Sequence, residues 1–387
     1  MITKSIKTHK VNPNTATLLL LAILTNNMKL NFGLEVSPLS FCFIFLALAI
    51  NMHIIKTDSS IKITLFIVAV STGATIPFFK PIDFAKDILF FCTLIAGFIV
   101  ARDEIALKWL IKRSAQAILL ICIFQYLVPG YEVVHDVLFG RSTSGGNRGL
   151  TSFLAEPSFL GAVSSILIIN YGLLHRSTSL LNIHFIVLII PLLFSFSVMI
   201  VFGLIVIFYT LKWPLIIKIL ILYVIFIAVW PILSNLDLRA VQVLTSVTAL
   251  ETLDQSSGSR LFYILKDFKL AIGSFMLPIW GIGGYSFAIE NIDFKNYIPQ
   301  NFIYDPKLSG SLLGRYLVTF GVFSLLIPAY YLQRTSFKSL PMLLFYGIII
   351  CSISLQMLPT GLIPFVLFLG SGLHVLHTRT RASYGRA

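Results

Sequence analysis

The stretch Arg141–Gly161, RSTSGGNRGLTSFLAEPSFLG, decides how the whole chain is read. It is a polar island holding two arginines, a cluster of glycines and serines, and a glutamate just before a proline. On either side lie apolar runs, at 114–130 and 157–175, each near the length a helix needs to cross a bilayer. Polar groups are costly beside hydrocarbon unless they bind something. An island placed where a helix re-enters the membrane points to an anionic or sugar headgroup as its ligand.

Outward from this stretch the chain is apolar almost throughout. Of its 387 residues, 57% are hydrophobic and 12% charged, with a mean hydropathy of +0.90. No soluble core needs that much apolar sequence, so the expected fold is an all-α polytopic membrane protein forming a single integral membrane domain over 1–387. Apolar runs fall near 13–25, 38–55, 61–79, 84–101, 114–130, 157–175, 183–195, 197–211, 215–234, 312–332, 340–357 and 360–377, about twelve transmembrane helices. The basic amino terminus (Lys4, Lys7, Lys10) followed by Thr15–Leu24 resembles a signal peptide, but its apolar run is short and no small-x-small cleavage site follows. It is expected to be an uncleaved first span.

The formal net charge of +13 would suit a nucleic-acid binder if it were clustered. Sorted by position, it falls in short connections between apolar runs, so it reports orientation and no nucleic-acid partner is expected. The connections with Lys56/Lys62, Arg102/Lys108/Lys112/Arg113, Arg176, Lys212/Lys218 and Arg334/Lys338 are expected on the cytoplasmic side. Both termini join them there, bringing 17 of the 29 basic and 3 of the 16 acidic residues to one side. Because Arg176 and Lys212 share that side, an even number of spans separates them. A hairpin with Ser195-Phe196-Ser197 at its outer tip meets that condition. Two outer connections are long: the loop 131–156 with its Arg/Gly/Ser cluster, and a large loop at 235–311 between spans nine and ten.

Within the large loop, Ser259–Leu277 has helical spacing, with Leu261, Leu265, Phe268, Ile272 and Phe275/Met276 on one face. Ser257 or Ser259 can cap it, and Pro278 with the glycines at 281, 283 and 284 ends it. Such a helix lies along the interface or packs over the bundle mouth.

Several chemistries lack their signatures. The chain has no GxxxxGK[ST] loop and no HExxH, and its outer loops have no DxD pair. The seven histidines show no metal-ligand spacing, and the four cysteines (Cys42, Cys92, Cys122, Cys351) lie singly within apolar runs as small buried residues. No metal and no cofactor is expected. What remains on the outer face is arginine and carboxylate. Arg141 and Arg148 flank the Ser/Gly turn, Arg260 opens the amphipathic helix, Lys266 lies on its polar side, and Arg315 sits at the outer end of span ten. A guanidinium grips two phosphate oxygens at once. The plainer reading for each is an interface anchor whose stem lies along apolar surface.

Glu156, before Pro157, either caps span six or acts as general base toward a hydroxyl. A helix amino terminus lowers a carboxylate's pKa, which favours the capping role. His135, Asp136, Glu290, Asp293 and Asp305 are weaker candidates for the base. Asp83, Lys86 and Asp87 cluster at one span end; elsewhere the spans are nearly uncharged, unlike an ion-coupled transporter.

Arg148-Gly149-Leu150 with Glu156-Pro157-Ser158-Phe159-Leu160-Gly161 resembles the RGL…EPxxLG stretch of the O-antigen polymerases (Wzy). Ser257-Gly258-Ser259-Arg260, with Pro278 and Gly281-Ile282-Gly283, resembles part of that family's large outer loop. Ser309–Leu313 with Phe320-Gly321 resembles the segment after it. The resemblance covers roughly 60–360 as a pattern of spans and loops. O-antigen ligases share much of the layout, but their expected histidine near the end of the large loop is replaced by Tyr304-Asp305-Pro306-Lys307.

The resemblance implies a metal-independent glycosyltransferase of the bacterial inner membrane, serving O-antigen, capsule or exopolysaccharide. It would transfer a growing glycan from undecaprenyl pyrophosphate to a fresh lipid-linked repeat unit. Arg148, Arg260 and Glu156 would be catalytic, and Arg141, Arg315 and Lys266 substrate-binding. A chain-length regulator and a flippase would be partners besides the bilayer. The rival readings are a ligase and a flippase or other transporter of lipid-linked oligosaccharide. A transporter is expected to show charged span interiors and repeated halves, and the sequence has neither.

Overall fold

A computed structural model describes residues 11–26, 28, 37–58, 61–63, 65, 66, 69, 81–128, 130, 131, 152, 154, 157–175 and 183–195, with isolated positions between 214 and 227. These residues form an all-α bundle, with no strand among them. In chain order the helices are α1 (Asn14–Thr25), α2 (Pro38–Ala49), α3 (Met52–Thr57), α4 (Pro81–Ala101), α5 (Glu104–Leu127), α6 (Pro157–His175) and α7 (Ile183–Phe194). Among the described residues no helix is long and apolar enough to cross a membrane. The expected spans at 197–211, 312–332, 340–357 and 360–377, and the large loop 235–311, lie outside the described residues.

α1 and α2 form an antiparallel pair held at both ends by polar contacts. The Ser40 hydroxyl donates to the Ala22 carbonyl at 2.9 Å, and Asn51 Nδ2 donates to Thr15 Oγ1 at 2.7 Å. Between these contacts Leu19, Ile23 and Ile44 are fully buried.

The apolar run expected as one span over 38–55 is interrupted. α2 stops at Ala49, and Asn51 stands at φ −114°, ψ 19° before α3 begins. The cause is the Asn51 side chain, which is fully buried. Its amide also donates to the Ala47 carbonyl at 2.7 Å, and its Oδ1 accepts the Asn12 backbone N–H at 3.1 Å. An asparagine that engages the backbone in this way competes with helix continuation, and hydropathy alone does not register it.

A second difference concerns the basic stretch 102–113, expected as a connection. The connection is only Arg102-Asp103. Asp103 caps α5 by accepting from the backbone N–H of Ile105 at 2.9 Å and of Ala106 at 3.2 Å. Lys108, Lys112 and Arg113 are therefore helical. Lys108 pairs with Glu104 one turn earlier at 2.6 Å, and Arg113 Nη1 donates to Gln116 Oε1 at 2.9 Å.

The bundle has two distinguishable ends. At one, Arg102 forms an ion pair with Asp58, whose Oδ1 also accepts the Ile61 backbone N–H at 2.9 Å. Beneath this pair Val11, Ile54, Ile61, Ile95 and Ile99 cluster, with Leu48 and Ile55 against them. The start of α1, the 51–58 turn and the α4–α5 junction thus share one end of the described bundle. At the other end Tyr126 of α5 meets Phe194 of α7, ring centroids 6.2 Å apart. Ser195, just past the end of α7, therefore lies away from the Arg102 end, and the expected return span 197–211 lies outside the described residues.

α5 links the two halves of the bundle, since it packs against α1 and α4 on one side and α6 and α7 on the other. Its buried residues, Leu107, Leu110, Ile111, Ser114, Ala115, Ile118, Cys122 and Gln125, recur at helical spacing along one face. Along α4 from Thr93 to Ala101, and along α6 from Phe159 to Ile168, every residue is buried, so these segments are enclosed on all sides. The cysteines divide: Cys122 is buried, Cys92 partly so, and Cys42 is exposed, against the expectation of a buried residue; all three are free thiols.

Candidate functional site

The polar island is organised by what holds its two ends. α5 finishes at Leu127, and Val128 closes the last turn by donating its N–H to the Phe124 carbonyl at 3.0 Å. Gly130 then takes φ 78°, a left-handed geometry open to glycine. This turn brings Tyr131 back onto the helix. Its N–H donates to the Val128 carbonyl at 3.2 Å, and its ring meets Phe124 edge-on with centroids 5.7 Å apart. Burial, with the neighbouring Cys122 thiol adding to it, pushes the Tyr131 phenol above its ordinary pKa, so it stays a neutral hydroxyl.

The chain returns to the same helix at Ser152. The Ser152 backbone N–H donates to Gln125 Oε1 at 2.9 Å, and its hydroxyl donates to the Ile118 carbonyl at 3.2 Å. The Cys122 thiol lies beside the same hydroxyl. Ser152 and Leu154 are fully buried, and Gln125 is 9% exposed. Tyr131 and Ser152 therefore both lie against the last part of α5. Three residues after Leu154, Pro157 begins α6 in the first-turn position that suits a proline.

Ser152 adopts φ 57°, the left-handed region that a non-glycine residue rarely enters. The strain is on the order of 1–2 kcal/mol. Two buried hydrogen bonds at roughly 1 kcal/mol each offset it. Strain of this kind persists only where the surroundings over-determine the backbone, and here it lies between Arg148 and Glu156.

The residues singled out from sequence, Arg141, Arg148, Glu156, Arg260, Lys266 and Arg315, all lie outside the described residues. So do the alternative bases His135, Asp136, Glu290, Asp293 and Asp305, and the amphipathic helix expected over 259–277. Two of the six are bounded by chain connectivity. Glu156 immediately precedes the first residue of α6, and Arg148 is four residues from Ser152, at most about 14 Å along an extended chain.

Sequence reasoning missed the anchor itself, formed by Gln125, Ser152, Cys122 and Tyr131. One signal was available: Gln125 is the lone amide in the apolar stretch Ile118–Val128. Among the described residues no three His, Cys, Asp or Glu side chains gather in a way that could hold a metal ion. Comparison with known proteins gives no match to any family model, curated protein or solved structure.

Proposed function

We propose that this chain is a multi-pass membrane glycosyltransferase that polymerises lipid-linked oligosaccharide repeat units on the outer face of a bacterial inner membrane. Support for the membrane setting comes from how polar and apolar side chains are distributed. Among the described residues 22 large hydrophobic side chains are exposed, while 13 polar ones are buried. Water would select the reverse. Lipid selects apolar outer faces and interiors in which Ser, Thr and Asn bond across helices. The helical positions Ile216, Leu220, Tyr223 and Ile227 form one exposed apolar stripe, all at least 52% accessible.

One observation carries the functional reading. Tyr131 and Ser152, the described residues that bracket Arg148 in sequence, both lie on the half of α5 away from the Arg102 end. By the positive-inside rule that end faces outward, where lipid-linked glycans present their pyrophosphates. In this reading Arg148 and Arg260 grip the pyrophosphate and neutralise the charge that develops as it leaves. Glu156 orients the acceptor hydroxyl or takes its proton. Arg141, Arg315 and Lys266 help to seat the two lipid-linked substrates. The products are a glycan longer by one repeat and free undecaprenyl pyrophosphate.

The test is the length of surface glycan in cells whose own copy of the gene is replaced by variants. Arg148→Ala and Arg260→Ala are each expected to insert normally and leave glycan of a single repeat. Wild-type ladders from both variants would remove the phosphate grip.

A further inference from the structure

The contacts around Ser152 do more than close a loop. Its N–H has one acceptor, a side-chain oxygen from a residue 27 positions earlier in the chain. Its hydroxyl donates to the Ile118 carbonyl, with the Cys122 thiol beside it on the same face of α5. The contact engages backbone as well as side chain, and the backbone it engages is left-handed. Such a contact fixes the direction in which the chain enters and leaves it, not merely its distance from the helix. Arg148 and Glu156 stand four residues to either side.

We propose that Gln125 and Ser152 form a clamp that fixes the chain at Ser152 against α5, four residues in sequence from both Arg148 and Glu156. Both are positioning residues, since neither needs to touch the lipid-linked substrate. The assignment of the step they serve rests on the polymerase reading above; the clamp itself rests on the hydrogen bonds. Gln125 is suited to the task because it presents a neutral acceptor from an otherwise apolar helix face. The clamp then holds without a charge that the buried site would have to desolvate.

The test combines hydrogen–deuterium exchange with kinetics on the full chain in proteoliposomes containing lipid-linked repeat units. Gln125→Leu is expected to speed exchange in peptides covering 132–156 by about tenfold, with α1–α4 peptides unchanged. It should lower kcat by about tenfold while leaving KM for the repeat unit within about threefold. Gln125→Glu keeps an acceptor oxygen, and burial favours its neutral acid form, so it is expected to return both readouts toward wild type at low pH and less so at high pH, which a purely structural packing role does not predict. Unchanged exchange in Gln125→Leu overturns the clamp. Faster exchange with unchanged kcat overturns its positioning role.

If the wild-type chain shows no polymerisation while Gln125→Leu still loosens 132–156, the polymerase reading falls and the clamp stands. Ser152→Ala covers the case in which Gln125→Leu fails to reach the membrane. It removes only the hydroxyl and should speed exchange of the same peptides by about threefold; no change there also overturns the clamp.

Discussion

At the scale of single residues, two buried polar side chains decide more than any apolar one. Asn51 ends α2 and ties α1 to α3 through three hydrogen bonds, two from its amide and one to its oxygen. Asn51→Leu leaves the Asn12 N–H without that acceptor and removes the link to Thr15. The variant should unfold about 2 kcal/mol more easily, read as a lowered thermal midpoint in detergent. Ser152 is the other such residue. The sequence pointed to the segment it belongs to, because arginine, glycine and Glu-Pro are conspicuous between apolar runs. It did not point to Ser152, because a serine in a left-handed conformation is imposed by tertiary contacts and leaves no local mark. Glu156 is the expected base, so Glu156→Gln should impair polymerisation more than Glu290→Gln. The reverse order, measured on glycan ladders, would move the base into the 235–311 loop.

At the scale of elements, hydropathy located the helices and misjudged their ends. α1, α4, α6 and α7 fall where apolar runs place them, since burial and lipid exposure both favour such runs. α5 begins ten residues before its apolar run, because Asp103 caps it and the Glu104–Lys108 pair supports its first turn. α2 ends early for the reason given by Asn51. The outward face of α5 provides a sharp test of its surroundings. Leu120 is 67% exposed. If that face meets lipid, Leu120→Arg should cost about 2 kcal/mol and reduce the membrane-inserted fraction. If it meets water, the change should stay within about 0.5 kcal/mol and insertion should not alter. The Arg102–Asp58 pair joins two elements at the opposite end, with side chains 30% and 11% exposed. A double-mutant cycle with Arg102→Ala and Asp58→Ala should give a coupling of about 1 kcal/mol, weakening as salt rises.

At the scale of the whole molecule, sorting charge by position put the connections bearing Lys56 and Arg102 on one side, and the described helices bring those two connections together. The segments bearing Lys56, Lys62 and Arg102 meet at one end, and the polar island rejoins the bundle near the other. Arg148, Arg260 and the 235–311 loop lie outside the described residues, so their expected convergence belongs to the proposal alone.

The most direct measurement uses purified chain in liposomes with lipid-linked repeat units and a metal chelator, following glycan length and released undecaprenyl pyrophosphate together. The account predicts a ladder of products and stoichiometric release from wild type, and neither from a variant carrying both Arg148→Ala and Arg260→Ala. A ladder of undiminished length from that double variant, or none from the wild-type chain, would contradict it.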